Sequence, residues 1–314
     1  MSIEADVGTS SAARAAAPAT PAQTRPFAWS VRRELWEHRS SWIAPLAAAG
    51  FVLFGFSLSL MRMSHASRVI SSLPPDKQAA IRMIPYGIAI AAIVLTSVIV
   101  GISYSLGTLN NERRDRSILF WKSMPVSDLT TVLAKASIPL AVLPLIAFVV
   151  ICATQLVMLL VNTGAALANG HDAAQLWTAM PLLRVWPLVF YILATLALWY
   201  APIYGWLLVV SGWARRGAFL WATLPLLALC VVEKLAFDTS WFGDLLKYRL
   251  GGSFHEAFVD QGPHPFGLHN KMNFHLPQAD PAKFFSAPGL WLGLAAAAAL
   301  FALAIYLRRR RELV

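Results

Sequence analysis

Four histidines lie in one polar stretch of the chain, and imidazole is the side chain that most often binds metals in proteins. They are His255, His264, His269 and His275, with the carboxyl groups of Glu256 and Asp260 beside them. The spacings of nine, five and six residues match no compact metal motif, and neither cysteine is nearby. No pocket-defining motif surrounds the carboxyl groups as an acid–base pair. We therefore expect no metal site and no catalytic residue here, but a surface or a substrate-facing loop.

A second charged stretch, residues 111–135, separates two long apolar runs and reads NERRDRSILFWKSMPVSDLTTVLAK. A charged connector between membrane spans cannot lie in lipid, and its five basic residues assign it to the cytoplasmic surface. Pro125 would end a short helix and fix its exit angle, and Ser127 or Asp128 would cap the next helix. Two interpretations are open: a solvated loop whose charges only set topology, or a segment that contacts a partner protein. The residues that we expect to contact a partner protein are Glu112, Arg113, Arg114, Asp115, Arg116, Phe120, Trp121 and Pro125.

Composition assigns the chain to a membrane. Of 314 residues, 57% are apolar and 13% are charged, whereas a soluble domain carries about 25% charged residues. The net charge of +10 would suit a nucleic-acid partner, but no basic face with interleaved aromatics lies outside the membrane flanks. Sixteen of the 26 Lys and Arg residues fall in alternate, inner loops. The charge therefore sets topology, and we expect membrane lipid rather than nucleic acid around the chain.

The apolar runs predict the elements that must position these residues. A helix crossing the hydrocarbon needs about 20 largely apolar residues. An all-α integral membrane fold follows, with both termini cytoplasmic, a disordered tail over residues 1–26 and an outer insert over residues 233–288 between the last two spans. The six predicted spans cover about 42–61, 84–109, 138–162, 186–213, 218–232 and 290–307.

Residues 27–41, just before the first span, predict a short amphipathic helix lying flat at the membrane surface. At helical spacing Trp29 and Trp36 gather on one side, together with Val31 or Arg32. The charged residues that point elsewhere are Arg33, Glu34, Glu37 and Arg39. Two compatible interpretations remain open: a membrane-proximal anchor, or a helix that also contacts a partner protein.

The run from Glu112 to Ser117, followed by Trp121–Ser127 and then Lys135, resembles the first cytoplasmic connector of ABC-2-type transporter permeases. There a Glu-Arg pair is followed, after two intervening residues, by Gly or Arg and then Ser or Thr. A short amphipathic helix, a Ser/Lys-Leu/Met-Pro-Val/Ile-Ser run and a Lys come next. This chain has Arg116 where Gly is frequent, which could refine the subfamily.

The resemblance implies a permease subunit of an ATP-driven ABC exporter in the bacterial cytoplasmic (inner) membrane. Its partners would be a second permease protomer, identical or homologous, and two copies of a cytoplasmic ABC ATPase. Residues 27–41 would be the elbow helix beside the ATPase, with Trp29, Arg33 and Trp36 as contacts. Residues 111–135 would carry force from the ATPase into the spans.

ATP chemistry is expected on the other subunit. A phosphate-binding P-loop needs a Gly-Lys pair, and the sequence contains none, so ATP and Mg²⁺ would be bound by the partner ATPase and this chain would be neither an enzyme nor a cofactor protein. We also expect no buried charge within the spans, which argues against an ion-coupled transporter.

Mild polar residues in the spans are candidates for a translocation path, and the charge-poor interior favours a lipidic or amphipathic cargo. They are Thr96, Ser103, Tyr104 and Tyr200. More often such residues form hydrogen bonds between helices. The alternative function is an ATP-independent membrane-embedded enzyme, or a scaffold, that uses the outer loop of residues 233–288.

Overall fold

The computed structural model describes residues 26–71, 74–114, 127–168, 170, 174–179, 182–214, 216–259 and 278–311. Within these residues the fold is helical, apart from an isolated bridge between Phe258 and Ala279. A π-helical segment, Ile138–Val142, joins α4 to α5. The α-helices are α1 Pro26–Glu37, α2 Ser40–Ser71, α3 Pro75–Arg114, α4 Asp128–Ser137, α5 Leu143–Ala168, α6 Ala174–Ala179, α7 Leu182–Trp213, α8 Ala218–Phe237, α9 Trp241–Ala257, α10 Pro281–Ser286 and α11 Pro288–Arg311.

Six of the described helical stretches are long and apolar enough to cross a membrane, which confirms the predicted number. The boundaries differ in three places, one of them the fifth span, which runs to Phe237 rather than ending at residue 232 and so includes the first residues of the predicted insert. Helix α2 continues beyond the first span to Ser71, and α3 begins at Pro75, ahead of the second span, so much of the chain between these two spans is helical. The third span begins at Asp128 rather than at residue 138, because α4, the π segment and α5 are continuous.

The π segment coincides with Pro139, and Pro144 follows in the first turn of α5. Proline has no N–H and its ring crowds the preceding turn, so the regular hydrogen-bond ladder cannot pass through it unchanged. The backbone N–H of Leu143 donates instead to the carbonyl of Ile138, five residues earlier. The third span therefore stays helical across Pro139, with a local change from α-helical to π-helical hydrogen bonding.

Helix α7 is the centre of the bundle and packs against α3 and α11, while α2 packs against α3 and α5. The contact with α11 is close at Gly205, where a Cβ atom would lie 3.0 Å from Cβ of Leu300. Farther along α7, Trp199 is fully buried against Phe284 and Leu290. These contacts hold the last span beside the fourth.

The segment between the last two spans is anchored on α7 as well. The Glu233 carboxylate accepts from the backbone N–H of Phe242 at 2.9 Å, which fixes the turn between α8 and α9. Trp199 Nε1 donates to the carbonyl of Arg249, and the Tyr200 hydroxyl donates to that of Leu250, both at 2.9 Å. Part of the insert is thus a 17-residue helix, α9, standing on the fourth span.

Candidate functional site

Helix α1 is docked on the bundle through one of its faces. Val31 and Leu35 pack against a buried cluster formed by Tyr104 of α3, Ile138 of the π segment and Leu143 of α5. Residues three and four apart on a helix share a face, which places Glu34 and His38 on this docked side as well. The apolar contacts bring the Glu34 carboxylate into the protein.

A buried ion pair lies at the centre of this contact. Lys135 Nζ donates to Glu34 Oε1 at 2.8 Å and to Thr108 Oγ1 at 2.9 Å. The Tyr104 hydroxyl donates to Glu34 Oε2 at 2.6 Å. Lys135 is 1% exposed and Glu34 is 3% exposed. We call these four residues, Glu34, Tyr104, Thr108 and Lys135, the buried polar cluster.

The cluster keeps Glu34 ionised. Burial by itself would raise the pKa of Glu34, but the charge of Lys135 and the hydrogen bonds from Lys135 and Tyr104 outweigh it and leave this pKa below its ordinary value. The His38 ring lies edge-on to Tyr104, with Nδ1 3.8 Å from Glu34 Oε2. Desolvation offsets much of the attraction in such a pair, so its main effect is to fix one arrangement of the helices, and removing one partner is costly.

The cluster joins three segments that are distant in sequence. Glu34 and Lys135 are 101 residues apart, and Thr108 and Tyr104 lie near the end of α3. The charged connector of residues 111–135 starts in the last turn of α3 and ends within α4. Both of these helices are bound to α1. A movement of either flank would therefore act on α1.

Two further polar contacts fix the same flanks. Ser211 Oγ of α7 accepts from the backbone N–H groups of Leu109 and Asn110, at 3.1 and 3.2 Å. Arg308 of α11 pairs with Asp128, the first residue of α4, at 3.3 Å. The connector thus begins on α3 and ends on α4, and both helices are held by other parts of the bundle: α3 by α7, and α4 by α11.

This pair is not predicted by the sequence pattern. Glu34 was expected away from the packing side of α1 and Lys135 on a surface connector, and the expectation of no buried charge within the spans is wrong at Lys135. Two signals pointed inward. Glu34 stands between Val31 and Leu35, which are apolar, and Lys135 is followed by no charged residue until Asp172.

Most of the connector residues named above lie outside the described residues: Asp115, Arg116, Phe120, Trp121 and Pro125. The backbone of Glu112–Arg114 forms the last turn of α3. The predicted cap at Ser127 is confirmed, because its side chain accepts from the backbone N–H of Thr130 and so begins α4.

The three residues predicted to contact a partner from α1 lie away from the buried polar cluster. Trp29 is 64% and Trp36 is 70% exposed. Arg33 pairs with Glu37 along the helix at 2.8 Å. The guanidinium of Arg32 lies over both tryptophan rings: its Cζ atom is 5.7 Å from the ring centroid of Trp29 and 5.6 Å from that of Trp36.

The four residues proposed for a translocation path do not come together. Thr96 Oγ1 donates to its own helix at Ala92, and Ser103 is exposed on α3. Tyr104 belongs to the buried polar cluster. Tyr200 lines a small cleft between α3, the third span and α7; Ser97, Pro139 and Tyr204 are among the other residues that line it.

Neither carboxylate cluster in the described residues has the features of a metal centre. Ligand atoms of Glu34, Glu37 and His38 lie within 4.8 Å of one another. Lys135 already neutralises Glu34, and Arg33 pairs with Glu37, so a cation would have to displace both.

On α9, His255 Nδ1 is 3.9 Å from Glu256, whose carboxylate also accepts from the Tyr248 hydroxyl. The other residues of the histidine-rich stretch, His264, His269, His275 and Asp260, lie outside the described residues. The alternative function that uses this loop therefore stays a prediction.

Comparison with known proteins adds no relative: no family model, no curated protein and no solved structure matches this chain.

Proposed function

We propose that this chain is the transmembrane permease subunit of an ATP-driven ABC-2-type exporter. A separate cytoplasmic ATPase binds the 111–135 connector, and a second permease protomer completes the transporter. Closure of the ATPase pushes on the connector, tilts the spans and expels or flips a lipidic or amphipathic substrate outward. The resemblance of the connector, the six spans and the buried polar cluster support this proposal.

The observation that carries the coupling part is the Lys135–Glu34 pair. A force applied to a connector is transmitted only if its flanking helices are rigidly joined to the elements that must move. Here α3 and α4, on either side of the connector, share buried hydrogen bonds with α1, and α1 leads into the first span after a break of two residues. A loop that served only to set topology would need no such contact.

The test is affinity purification of the tagged full-length chain from its own host in mild detergent, scored for a P-loop ATPase that co-purifies in stoichiometric amount. The variant Glu112→Lys/Trp121→Ala changes the connector. The matched control Glu256→Lys/Trp241→Ala makes the same two changes in the outer insert, on α9. We expect the ATPase with the wild type and the control but not with the connector variant.

If no ATPase co-purifies with the wild type under several gentle conditions, the transporter proposal fails. Equal loss of ATPase from both variants would show a general defect of assembly and would contradict the assignment of the connector as the binding site.

A further inference from the structure

The exposed side of α1 carries a second feature that the coupling role does not use. Trp29, Arg32 and Trp36 are spaced by three and four residues and therefore form one stripe along the helix, opposite the docked face. The Arg32 guanidinium stacks between the two indoles. We call these three residues the Trp–Arg–Trp stripe.

We infer that the Trp–Arg–Trp stripe binds the headgroups of anionic phospholipids in the leaflet that α1 faces. This inference requires only that the chain lies in a membrane, not that it is a transporter.

Continuity with the first span argues for lipid rather than another occupant. Helix α2 begins at Ser40, and only two residues separate it from the end of α1 at Glu37, so the stripe lies close to the bilayer. The first turns of α2 also present exposed apolar side chains, Trp42, Ile43 and Leu46. Tryptophan is enriched at the level of lipid headgroups, where one end of its ring is apolar and the other polar.

Charge complementarity gives the sign of the headgroup. Among the described residues, no carboxylate lies within ion-pair distance of Arg32, whereas Arg33 is paired with Glu37. Cation–π contact with the two indoles uses none of the N–H donors of Arg32, so these can donate to a phosphate. Arg309 and Arg310, at the end of α11, are exposed. They lie on the same side of the bundle as α1, because the adjacent Arg308 pairs with Asp128 of α4, the helix that also holds α1. This side is cationic, as a surface for anionic lipid requires.

The experiment titrates phosphatidylglycerol, and phosphatidylcholine as the neutral match, into the full-length protein in detergent and counts bound lipids by native mass spectrometry. The test variant is Arg32→Gln. The matched control is Arg216→Gln, which removes the same charge from an exposed site in the loop after α7. We expect Arg32→Gln to weaken phosphatidylglycerol binding about tenfold, because a hydrogen bond to a charged group contributes more than the general attraction of one surface cation, and a tenfold change is about 1.4 kcal/mol. Phosphatidylcholine binding and the Arg216→Gln protein should be unchanged.

Two results would overturn the inference. An equal loss with Arg216→Gln would reduce the effect to net charge alone. Unchanged phosphatidylglycerol binding in Arg32→Gln would exclude a lipid site, and if an ATPase were lost from the same variant, the stripe would be a protein contact instead. Because no ATPase is present in the lipid titration, failure there leaves the co-purification test of the proposed function untouched.

Discussion

Removing the charge of Glu34 should be the most damaging conservative change in the described part of the chain. In Glu34→Gln the ammonium of Lys135 stays 1% exposed and keeps Thr108 as a partner, but it loses the Glu34 carboxylate 2.8 Å away. Breaking a buried ion pair from one side costs about 3–5 kcal/mol. A glutamine oxygen can still accept one hydrogen bond, so we expect about 3 kcal/mol of lost unfolding free energy.

The assay is reversible unfolding of the purified protein in mixed micelles, titrated with a denaturing detergent. Glu37→Gln is the matched control, one turn along the same helix. Its carboxylate is 42% exposed and pairs with Arg33, so the change should cost less than about 0.5 kcal/mol.

A double-mutant cycle separates the pair from its surroundings. In Glu34→Gln/Lys135→Met both charges of the pair are removed together, so the double variant should lose less than the sum of the single changes, by about 1 kcal/mol or more. If Glu34→Gln and Glu37→Gln proved equally mild, or if the single effects were additive, the reasoning that the pair holds α1 in place would be refuted.

Two further predictions concern the same region. The pKa of Glu34 is lowered in the folded protein, so its stabilisation is complete above the ordinary glutamate pKa and is lost as pH falls below about 4; the stability difference between wild type and Glu34→Gln should therefore shrink from pH 7 to pH 3.5 in the same unfolding assay, and a constant difference would contradict it. Ser211→Ala removes the acceptor shared by two backbone N–H groups of α3 and should cost about 1 kcal/mol, whereas Ser137→Ala, whose hydroxyl donates within its own helix, should cost close to nothing.

The spans could be predicted because a membrane helix is encoded locally. About 20 apolar residues between charged flanks are sufficient, and each predicted span lies on a described helix. The cap at Ser127 is local in the same sense, since a hydroxyl three residues before a free N–H is readable from one short segment. The predicted start of the third span was wrong because Lys135 was taken to lie outside it. A charged residue in the sequence does not show whether a buried counter-ion such as Glu34 will pair with it.

The buried polar cluster could not be predicted from the sequence. The pairing of Glu34 with Lys135 depends on how α1 folds back on the bundle, and no local pattern encodes a contact over 101 residues. Tyr104 was assigned to a path for the same reason: its hydroxyl was visible in the sequence, but its acceptor was on another helix.

The Glu34–Lys135 pair has a consequence for how the chain is made. Lys135 lies about 10 Å along the helix from Asp128, where the third span begins, and a buried ammonium there is costly without its counter-ion. The counter-ion, Glu34, is synthesised first, because it lies 101 residues earlier in the chain. The third span can settle fully only after α1 has docked. Loss of α1 would therefore remove the Glu34 carboxylate from the buried ammonium of Lys135 and leave the start of the third span without the contact that fixes it.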